Sequence, residues 1–367
     1  MLYDQFELHQ SRIFLGSDCF AEALARCEPS AYSRCFFISQ EQVWGFHGQA
    51  LAEAFAASGV TVSEDHLYFM PDGEQFKSLA TFEAIQQWLV DRGADRRSLL
   101  VVLGGGVVGD LAGFVAATYM RGMAWLYVPT TLLAQQDASI GGKTAVNLPQ
   151  GKNLVGQFWE PRAVIVDSAV LGTLPQRQIN AGYMEFLKHG MLQGEALYQD
   201  ALAVPTATDD WAAQMPVLAR GVRVKADVVA QDPHEKNQRR LLNLGHTLAH
   251  ALESYTEYRQ FLHGEAVGIG LLYVAMVARR LGSTYAWPGL MEAVVPRLPA
   301  CDPANWDQTR LLDLTRRDKK GVGGKIAWII PHRPGDVEII TGIDRAVLAA
   351  SLEELVAVLG DRVAAVR

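Results

Sequence analysis

The chain has 367 residues, which is enough for two domains with a sizeable hydrophobic core in each. Hydrophobic residues make up 49% of the sequence and charged residues 20%, a composition that is typical of globular proteins and excludes a disordered chain. The formal net charge of −7 provides no attraction for nucleic acid or an acidic membrane surface, so local cations would have to hold any anionic ligand.

Two features of the sequence bear on the cellular compartment. The four cysteines show neither a CxxC pair nor a framework spacing, which predicts reduced thiols. The N-terminal residues carry acids where a signal peptide needs lysines before an apolar run, and there is no apolar stretch of about 18 residues anywhere. We therefore expect a cytoplasmic protein that binds neither a membrane nor nucleic acid.

The first half of the chain alternates short β-rich runs with helical patterns. Strands are predicted at Cys35–Ser39 and at residues 61–69, 98–103, 124–128 and 163–166. Helices are predicted at residues 42–57, Leu79–Asp91 and residues 108–120. Strands joined by crossover helices predict an α/β domain with a Rossmann-like parallel sheet, whose ligands bind beyond the carboxyl ends of the strands.

The second half is predicted to be mostly α-helical. Helical patterns cover residues 185–192, 211–230, 241–258, 264–281, 309–316 and 344–359, and one β-rich run covers residues 325–331. The strand signal declines between residues 170 and 178. We therefore predict an α/β domain of residues 1–175 and an α-helical domain of residues 176–367.

A glycine-rich turn follows the predicted strand at residues 98–103. Gly104, Gly106 and Gly109 satisfy GxGxxG, a spacing that lets the backbone approach a pyrophosphate at a helix N-terminus. The motif is weak by itself, because it follows a third or fourth strand and no acid lies about 20 residues further on. A tight turn with close helix packing is the alternative.

Two polar segments flank this turn along the chain. PDGEQFKS, residues 71–78, carries Asp72, Glu74 and Lys77, which either contact an adenosine or belong to a capped loop. Residues 129–153 combine Asp137, two lysines and paired glycines. So many polar groups beside a phosphate loop indicate a site for an anionic small molecule, although a solvated surface loop is the alternative.

Three segments of the second half carry candidate metal ligands. Glu185 and Lys188 are spaced i and i+3, His246 and His250 are spaced i and i+4, and His263 follows. One carboxylate with two imidazoles is a common divalent set, because three protein ligands leave positions open for substrate oxygens. A single histidine is more often structural, and the HxxxH pair lacks the glutamate of a metalloprotease.

Further polar residues, most of them cations, surround these candidate ligands in the sequence. Lys225, Arg239 and Asn243 precede His246, and the DKK run of residues 318–320 follows later. Several cations in one site are what a doubly anionic substrate requires.

An ordered series of motifs resembles the 3-dehydroquinate synthase family of sugar phosphate cyclases. The series consists of GGGVVGDLAGFVAATYMRG, VPTTLLAQQDASIGGKTAVNLPQGKN, LLNLGHTLAHALE and LHGEAVGIG, and the likeness extends from residue 71 to residue 320. It implies an NAD-binding α/β domain, an α-helical domain that binds metal and substrate, and a homodimer. It also implies conversion of 3-deoxy-D-arabino-heptulosonate 7-phosphate to 3-dehydroquinate and phosphate, through transient oxidation by NAD, phosphate elimination, re-reduction and aldol cyclisation.

The resemblance also assigns residues by their motif positions. The metal ion, Zn²⁺ or Co²⁺, is assigned to Glu185, His246 and His263. Catalysis and substrate binding are assigned to Asp137, Lys143, Lys152, Asn153, Lys188, Lys225, Arg239, Asn243, His250, Lys320 and Arg121. NAD is assigned to Asp72, Glu74, Lys77, Gly106, Val107, Val108, Gly109, Asp110, Thr130, Thr131, Lys143 and Lys152. The family's counterpart of Arg121 reaches the phosphate of the neighbouring subunit's site, and that of His250 suits a proton shuttle.

Several positions depart from the family pattern. Gln40 replaces an acid after the second predicted strand, and it cannot accept two ribose hydrogen bonds as a carboxylate can, which bears on NAD affinity and on the preference for NAD over NADP. Tyr183 and Met184 enlarge the surroundings of Glu185, while Asn237 and Ala249 replace glycines.

Three alternatives to this function remain at the level of sequence. The first is an NAD- and metal-dependent polyol dehydrogenase of the iron-type alcohol dehydrogenase group, which has little use for so many cations. The second is another sugar phosphate cyclase. The third is a catalytically inactive NAD-binding protein, which the complete set of ligands and lysines disfavours.

Overall fold

The computed structural model describes residues 1–316 and 326–365 and divides into two compact units. The first unit comprises Met1–Leu174 and Thr208–His234. The second comprises Pro175–Ala207 and the described residues from Glu235 onward. The segment 208–234 thus folds with the first unit, whereas the sequence prediction counts it with the second domain.

The first unit is built on a seven-stranded sheet. Its strands are β1 (Leu2–Leu8), β2 (Ser11–Gly16), β3 (Cys35–Ser39), β4 (Leu67–Phe69), β5 (Leu99–Gly104), β6 (Ala124–Pro129) and β9 (Ala163–Asp167). Their spatial order is β1-β2-β9-β6-β5-β3-β4. β1 and β2 pair antiparallel, and every other pair in this sheet is parallel.

Helices cover both faces of this sheet. They are α1 (Phe20–Ala25), α2 (Glu41–Ala57), α3 (Leu79–Asp91), α4 (Gly106–Thr118) and α7 (Trp211–Gln231). Successive strand residues enter opposite cores: Ile38 and Val102 pack into one, and Phe37 and Val101 into the other. Because both faces are buried, the central strands are continuous apolar runs, as the sequence predicted for a parallel sheet.

The structure differs from the predicted elements of the first unit at two places. Residues 143–158 form a hairpin of β7 (Lys143–Leu148) and β8 (Gly151–Phe158), although no strand is predicted there and residues 143–153 belong to the polar segment 129–153. The strand predicted at 61–69 is restricted to β4, because a 3₁₀ turn (Glu64–His66) capped by Ser63 occupies its middle.

α7 contacts the rest of the first unit at β1 and at Gln136. The Arg223 guanidinium lies 2.6 Å from Asp4 Oδ2 and 3.8 Å from the centre of the Phe6 ring. Gln136 Nε2 donates to the Leu218 carbonyl at 3.2 Å. These contacts are between residues far apart in sequence, so the helical periodicity of 211–230 does not reveal them.

The second unit is mostly helical, as predicted. Its helices are α5 (Gln176–Gln193), α6 (Glu195–Ala203), α8 (His246–Tyr255), α9 (His263–Arg280), α10 (Leu290–Val294), α11 (Gln308–Thr315) and α12 (Arg345–Ala365). The late β-rich run is half of a hairpin, β10 (Ala327–Arg333) with β11 (Asp336–Thr341). The helix predicted from residue 241 begins at His246, because a 3₁₀ turn (Gln238–Asn243) precedes it. α9 packs against α5, α8, α12 and β10.

Cys19, Cys27, Cys35 and Cys301 are free thiols. Among the described residues, we find no helix with the length and apolar character needed to cross a membrane.

Candidate active site

Three side chains from three helices of the second unit converge on one point. Glu185 lies on α5, and His246 and His263 are the first residues of α8 and α9. The distance from Glu185 Oε1 is 3.5 Å to His246 Nε2 and 3.4 Å to His263 Nε2. The three ligand atoms lie within 4.8 Å of one another, so this set could hold a metal ion. It is the set predicted from the sequence.

Close backbone packing brings the three helices together. A Cβ at Gly264 would overlap the Ala181 carbonyl oxygen of α5 and lie 2.5 Å from its carbonyl carbon. A Cβ at Gly270 would overlap the carbonyl oxygen of Gly245, the residue before α8, and lie 2.8 Å from its carbon. These two glycines therefore allow α9 to approach α5 and the start of α8, which sets the positions of the three ligands.

Hydrogen-bond acceptors orient both imidazoles. His246 Nδ1 lies 3.1 Å from the Leu244 carbonyl oxygen. His263 Nδ1 lies 3.5 Å from Glu253 Oε2, on the opposite side of its ring from Glu185. An Nδ1–H that faces an acceptor leaves Nε2 as the ligand nitrogen, which is the usual arrangement around bound metals.

Lys188 is part of the buried surroundings of Glu185. Its Nζ lies 2.5 Å from Glu185 Oε2, and both side chains are almost fully buried. Burial lowers the pKa of His246 well below its usual range, which favours the neutral ligand form. Burial also lowers the pKa of His263, but the Glu185 and Glu253 carboxylates outweigh it and raise the pKa to about 10. A metal ion at this site would therefore compete with a proton on His263.

His250 lies one helical turn after His246 on α8. Its ring centre is 5.6 Å from that of His246 and 6.1 Å from that of His263. His250, Glu253 and His263 form a second group of ligand atoms within 4.8 Å of one another. His250 is thus beside the predicted metal ligands, as a proton shuttle would need to be.

Arg239 and Asn243 lie in the 3₁₀ turn before α8, and this turn packs against α5. Arg239 is 1% exposed. Asn243 Nδ2 donates to Glu235 Oε1 at 2.8 Å. The predicted substrate residues of this turn therefore belong to the same unit as the metal ligands.

The glycine-rich turn of the first unit joins β5 to α4. Thr130 follows β6 beside it and donates its backbone N–H to the Gly104 carbonyl at 3.0 Å. α4 begins at Gly106, so its first N–H groups are available to an anion at the carboxyl edge of the sheet. Close packing is also part of the reason for glycine here, because a Cβ at Gly109 would overlap the Tyr127 ring and lie 2.7 Å from its Cε1.

The 71–78 turn meets the start of α4 and the β7–β8 hairpin. Lys77 Nζ lies 2.5 Å from Asp110 Oδ2 and also donates to Asn153 Oδ1. Asn147 links the turn to the hairpin, donating from Nδ2 to Glu74 Oε1 at 2.7 Å and accepting from the Asn153 backbone at 2.9 Å. Asn147 is not among the site residues predicted from the sequence. The signal that could have identified it is its place as a polar residue on the strand that begins at Lys143.

Gln40 and Asp72 follow two neighbouring parallel strands, β3 and β4. Gln40 Nε2 donates to Asp72 Oδ1 at 2.6 Å. Asp72 is exposed at this edge of the sheet. Gln40, whose amide replaces the family's acid, therefore contacts the carboxylate of Asp72.

Asp137 and Lys225 form an ion pair within the first unit. Asp137 lies in a π-helical turn (Ala134–Ala138), and Lys225 lies on α7. The distance from Lys225 Nζ to Asp137 Oδ1 is 2.9 Å, and the same ammonium also donates to the Asp137 carbonyl. The structure therefore brings together two predicted substrate residues that are far apart in sequence.

The remaining predicted residues lie on turns and on the hairpin. Lys143 is the exposed first residue of β7, and Lys152 is half-buried on β8. Arg121 is exposed, in the turn after α4, with a φ of +69°. Lys320, with the rest of the DKK run, lies outside the described residues. Val107, Val108 and Thr131 lie near the glycine-rich turn.

The comparison with family models covers both halves of the chain. The model "3-dehydroquinate synthase N-terminal" matches residues 67–181, and "3-dehydroquinate synthase C-terminal" matches residues 182–321. A 3-dehydroquinate synthase of Symbiobacterium thermophilum is 41% identical over 361 residues, covering 95% of this chain and 99% of that protein.

Solved structures agree with the predicted fold class. Similarity to a crystal structure of 2-deoxy-scyllo-inosose synthase, complexed with carbaglucose-6-phosphate, NAD⁺ and Co²⁺, gives a TM-score of 0.83 at 25% identity, over 96% of this chain and 99% of that one. A 2-epi-5-epi-valiolone synthase from Streptomyces hygroscopicus subsp. jinggangensis, with NAD⁺ and Zn²⁺ bound, gives 0.79 at 24% identity over 94% and 96% of the two chains. The matches to both family models and the identity over nearly the whole length confirm that the chain belongs to the 3-dehydroquinate synthase family.

Proposed function

We propose that the chain converts 3-deoxy-D-arabino-heptulosonate 7-phosphate to 3-dehydroquinate and phosphate, as a cytoplasmic enzyme of the shikimate pathway and aromatic amino acid biosynthesis. The observation that carries the proposal is the convergence of Glu185, His246 and His263, with the Lys188 ammonium against the same carboxylate. Such a donor set suits a divalent Lewis acid that acts on a hydroxylated substrate. Family membership supports the choice of reaction.

The proposed cofactors are NAD and one divalent metal ion, Zn²⁺ or Co²⁺. When bound, the metal polarises a substrate hydroxyl and the nicotinamide accepts a hydride and later returns it. Glu185, His246 and His263 would hold the ion. The Nε2 atoms of the two histidines already face the Glu185 carboxylate. In this proposal residues 1–175 form the NAD-binding domain, and residues 176–367 bind metal and substrate.

The proposed NAD site lies along the carboxyl edge of the seven-stranded sheet. The first N–H groups of α4 and the residues Gly106–Asp110 would contact the pyrophosphate, because a helix N-terminus attracts anions. Asp72, Glu74 and Lys77 would contact the adenosine side. The hydrogen bonds of Lys77 to Asp110 and Asn153 support this role by fixing the ammonium at that edge. Further proposed NAD contacts are Thr130, Thr131, Lys143 and Lys152.

The proposed substrate site combines anion-binding groups with groups that orient hydroxyls. Lys152, Asn153 and Arg239 would hold the phosphate in a geometry that favours elimination, with Arg121 contributed across a homodimer interface. Asp137 and Lys143 would orient the reacting carbons and the carboxylate. The ion pair of Asp137 with Lys225 supports its role by holding Asp137 in one position. His250 would move a proton, and Lys188, Lys225, Asn243 and Lys320 complete the proposed set.

One assay distinguishes this reaction from its alternatives. Purified protein loaded with Zn²⁺ or Co²⁺ is incubated with the heptulosonate phosphate and catalytic NAD⁺, and phosphate, dehydroquinate and NADH are followed. We expect equal amounts of phosphate and dehydroquinate with no net NADH. Stoichiometric NADH without phosphate would instead identify a dehydrogenase, and absence of phosphate release would refute the proposal. The Glu185→Gln variant serves as the negative control.

A further inference from the structure

A buried carboxylate outside the predicted site faces His263, one of the proposed metal ligands. Glu253 lies on α8, two helical turns after His246, and its side chain is 4% exposed. Burying a carboxylate is unfavourable unless it is hydrogen-bonded or paired. Its Oε2 lies 3.5 Å from Nδ1 of His263, so this imidazole is one of the groups that the buried carboxylate faces.

His263 is common to two groups of ligand atoms, but it offers each group a different nitrogen. Glu185 faces Nε2 at 3.4 Å, and Glu253 faces Nδ1 at 3.5 Å. A metal-bound, neutral imidazole has one N–H and one lone pair, so the carboxylate beside the N–H accepts a hydrogen bond while the other nitrogen binds the metal. His246 also has its Nε2 toward Glu185. The Glu185 side therefore offers a carboxylate and two Nε2 atoms to an ion.

We propose that Glu253 is a positioning residue, which accepts a hydrogen bond from His263 Nδ1–H and thereby fixes Nε2 as the metal-binding nitrogen. The inference rests on the metal site of the proposed function. A distance of 3.5 Å is at the outer limit of a hydrogen bond. A carboxylate that accepts from Nδ1–H leaves the lone pair of Nε2 for the ion. Such outer carboxylates also raise the basicity of the ligand and hold its ring orientation.

The test measures metal binding by the full chain in the absence of substrate. Glu253→Gln keeps the shape of the side chain but removes its charge, and we expect its affinity for Zn²⁺ and Co²⁺ to fall by about 10- to 100-fold. The Co²⁺ absorption bands are expected to shift, because the ring of His263 is no longer held. NAD⁺ affinity, measured without metal, is expected to stay unchanged. Glu257→Gln is the matched control, since this exposed glutamate lies just after α8.

Metal stoichiometry separates positioning from direct ligation. We expect one ion per chain in both wild type and Glu253→Gln. The inference is overturned by unchanged metal affinity in Glu253→Gln, or by two ions per chain of which the variant loses one. If that variant does not fold, Glu253→Asp keeps the charge but shortens the reach, and it is expected to weaken Co²⁺ binding and shift its spectrum. Tight binding of one ion without dehydroquinate formation would refute the proposed function and leave this inference standing.

Discussion

The close approach of α9 to α5 can be tested by adding one methyl group. In Gly264→Ala the new Cβ would overlap the Ala181 carbonyl oxygen and lie 2.5 Å from its carbon and 2.9 Å from its Cα. All three atoms are backbone, so no rotamer change can relieve the overlap. Real Cβ atoms essentially never approach closer than 3.0 Å. The start of α9 must therefore move away from α5.

The required movement exceeds what a metal site tolerates. Relieving the overlap with the Ala181 carbonyl needs a shift of roughly 1 Å, and overpacking of this kind costs about 1–3 kcal/mol of stability. His263 directly precedes Gly264, so its imidazole moves away from Glu185 with the helix. Metal–ligand distances vary by about 0.2 Å in well-formed sites. We therefore expect metal affinity to fall by at least about tenfold. This is the lower end of the loss that follows when the groups that orient a metal ligand are mutated.

The assay compares Gly264→Ala with Gly268→Ala, one turn further along α9. At Gly268 the added Cβ meets the flexible side chain of Met184, with Sδ at 2.7 Å, so small rotamer changes can relieve the contact. Denaturant unfolding of the metal-free proteins measures the stability cost, and chelator competition measures Zn²⁺ affinity. Wild-type metal affinity in Gly264→Ala, or an equal loss in both variants, would refute the reasoning from backbone overlap.

Four further outcomes follow from the contacts described above. Zn²⁺ at about 100 times its Kd is expected to raise the free energy of unfolding by about 2.7 kcal/mol, a gain that a chelator reverses and that Glu185→Gln abolishes. If a chelator left the Tm of the Zn²⁺-loaded protein unchanged, the metal site would be contradicted. Lys77→Met removes the ammonium that lies 2.5 Å from Asp110, and we expect at least about a tenfold loss of NAD⁺ affinity in fluorescence titration; unchanged affinity would exclude Lys77 from the NAD site. Asp72→Ala is expected to weaken NAD⁺ binding and to narrow the difference between NAD⁺ and NADP⁺, which parallel titrations measure; an unaltered ratio would show that the Asp72 carboxylate does not face the ribose. His250→Ala is expected to retain metal and to lower kcat by about 10²- to 10⁴-fold, and undiminished turnover would remove its role as proton shuttle.

Those parts of the molecule that depend on local patterns could be predicted from the sequence. Apolar runs broken by helical patterns predicted the parallel sheet, because strands covered on both faces have no polar alternation. Glu185, His246 and His263 could be identified by motif position, and the structure brings them within 4.8 Å of one another. The predicted roles of the individual site residues stay predictions.

Features that depend on contacts between distant segments could not be predicted. The β7–β8 hairpin mixes polar and apolar residues without the regular apolar alternation of a half-buried strand. The place of α7 in the first unit is defined by contacts such as those of Arg223 with Asp4 and of Gln136 with Leu218, which no helical periodicity encodes. Glu253 is three residues after His250 on the same helix, but its direction toward His263 depends on how α8 and α9 pack.

The glycine-rich turn has a consequence for tracing how this activity is lost in evolution. Gly109 packs against the Tyr127 ring, and Tyr127 donates from its hydroxyl to the Gly105 carbonyl at 2.9 Å. Stability therefore selects for glycine at position 109 whether or not a nucleotide is bound. A descendant that had abandoned NAD would still carry this glycine. The loss of NAD binding would first become visible as substitutions at exposed polar positions such as Asp72, where a change of residue has little effect on stability.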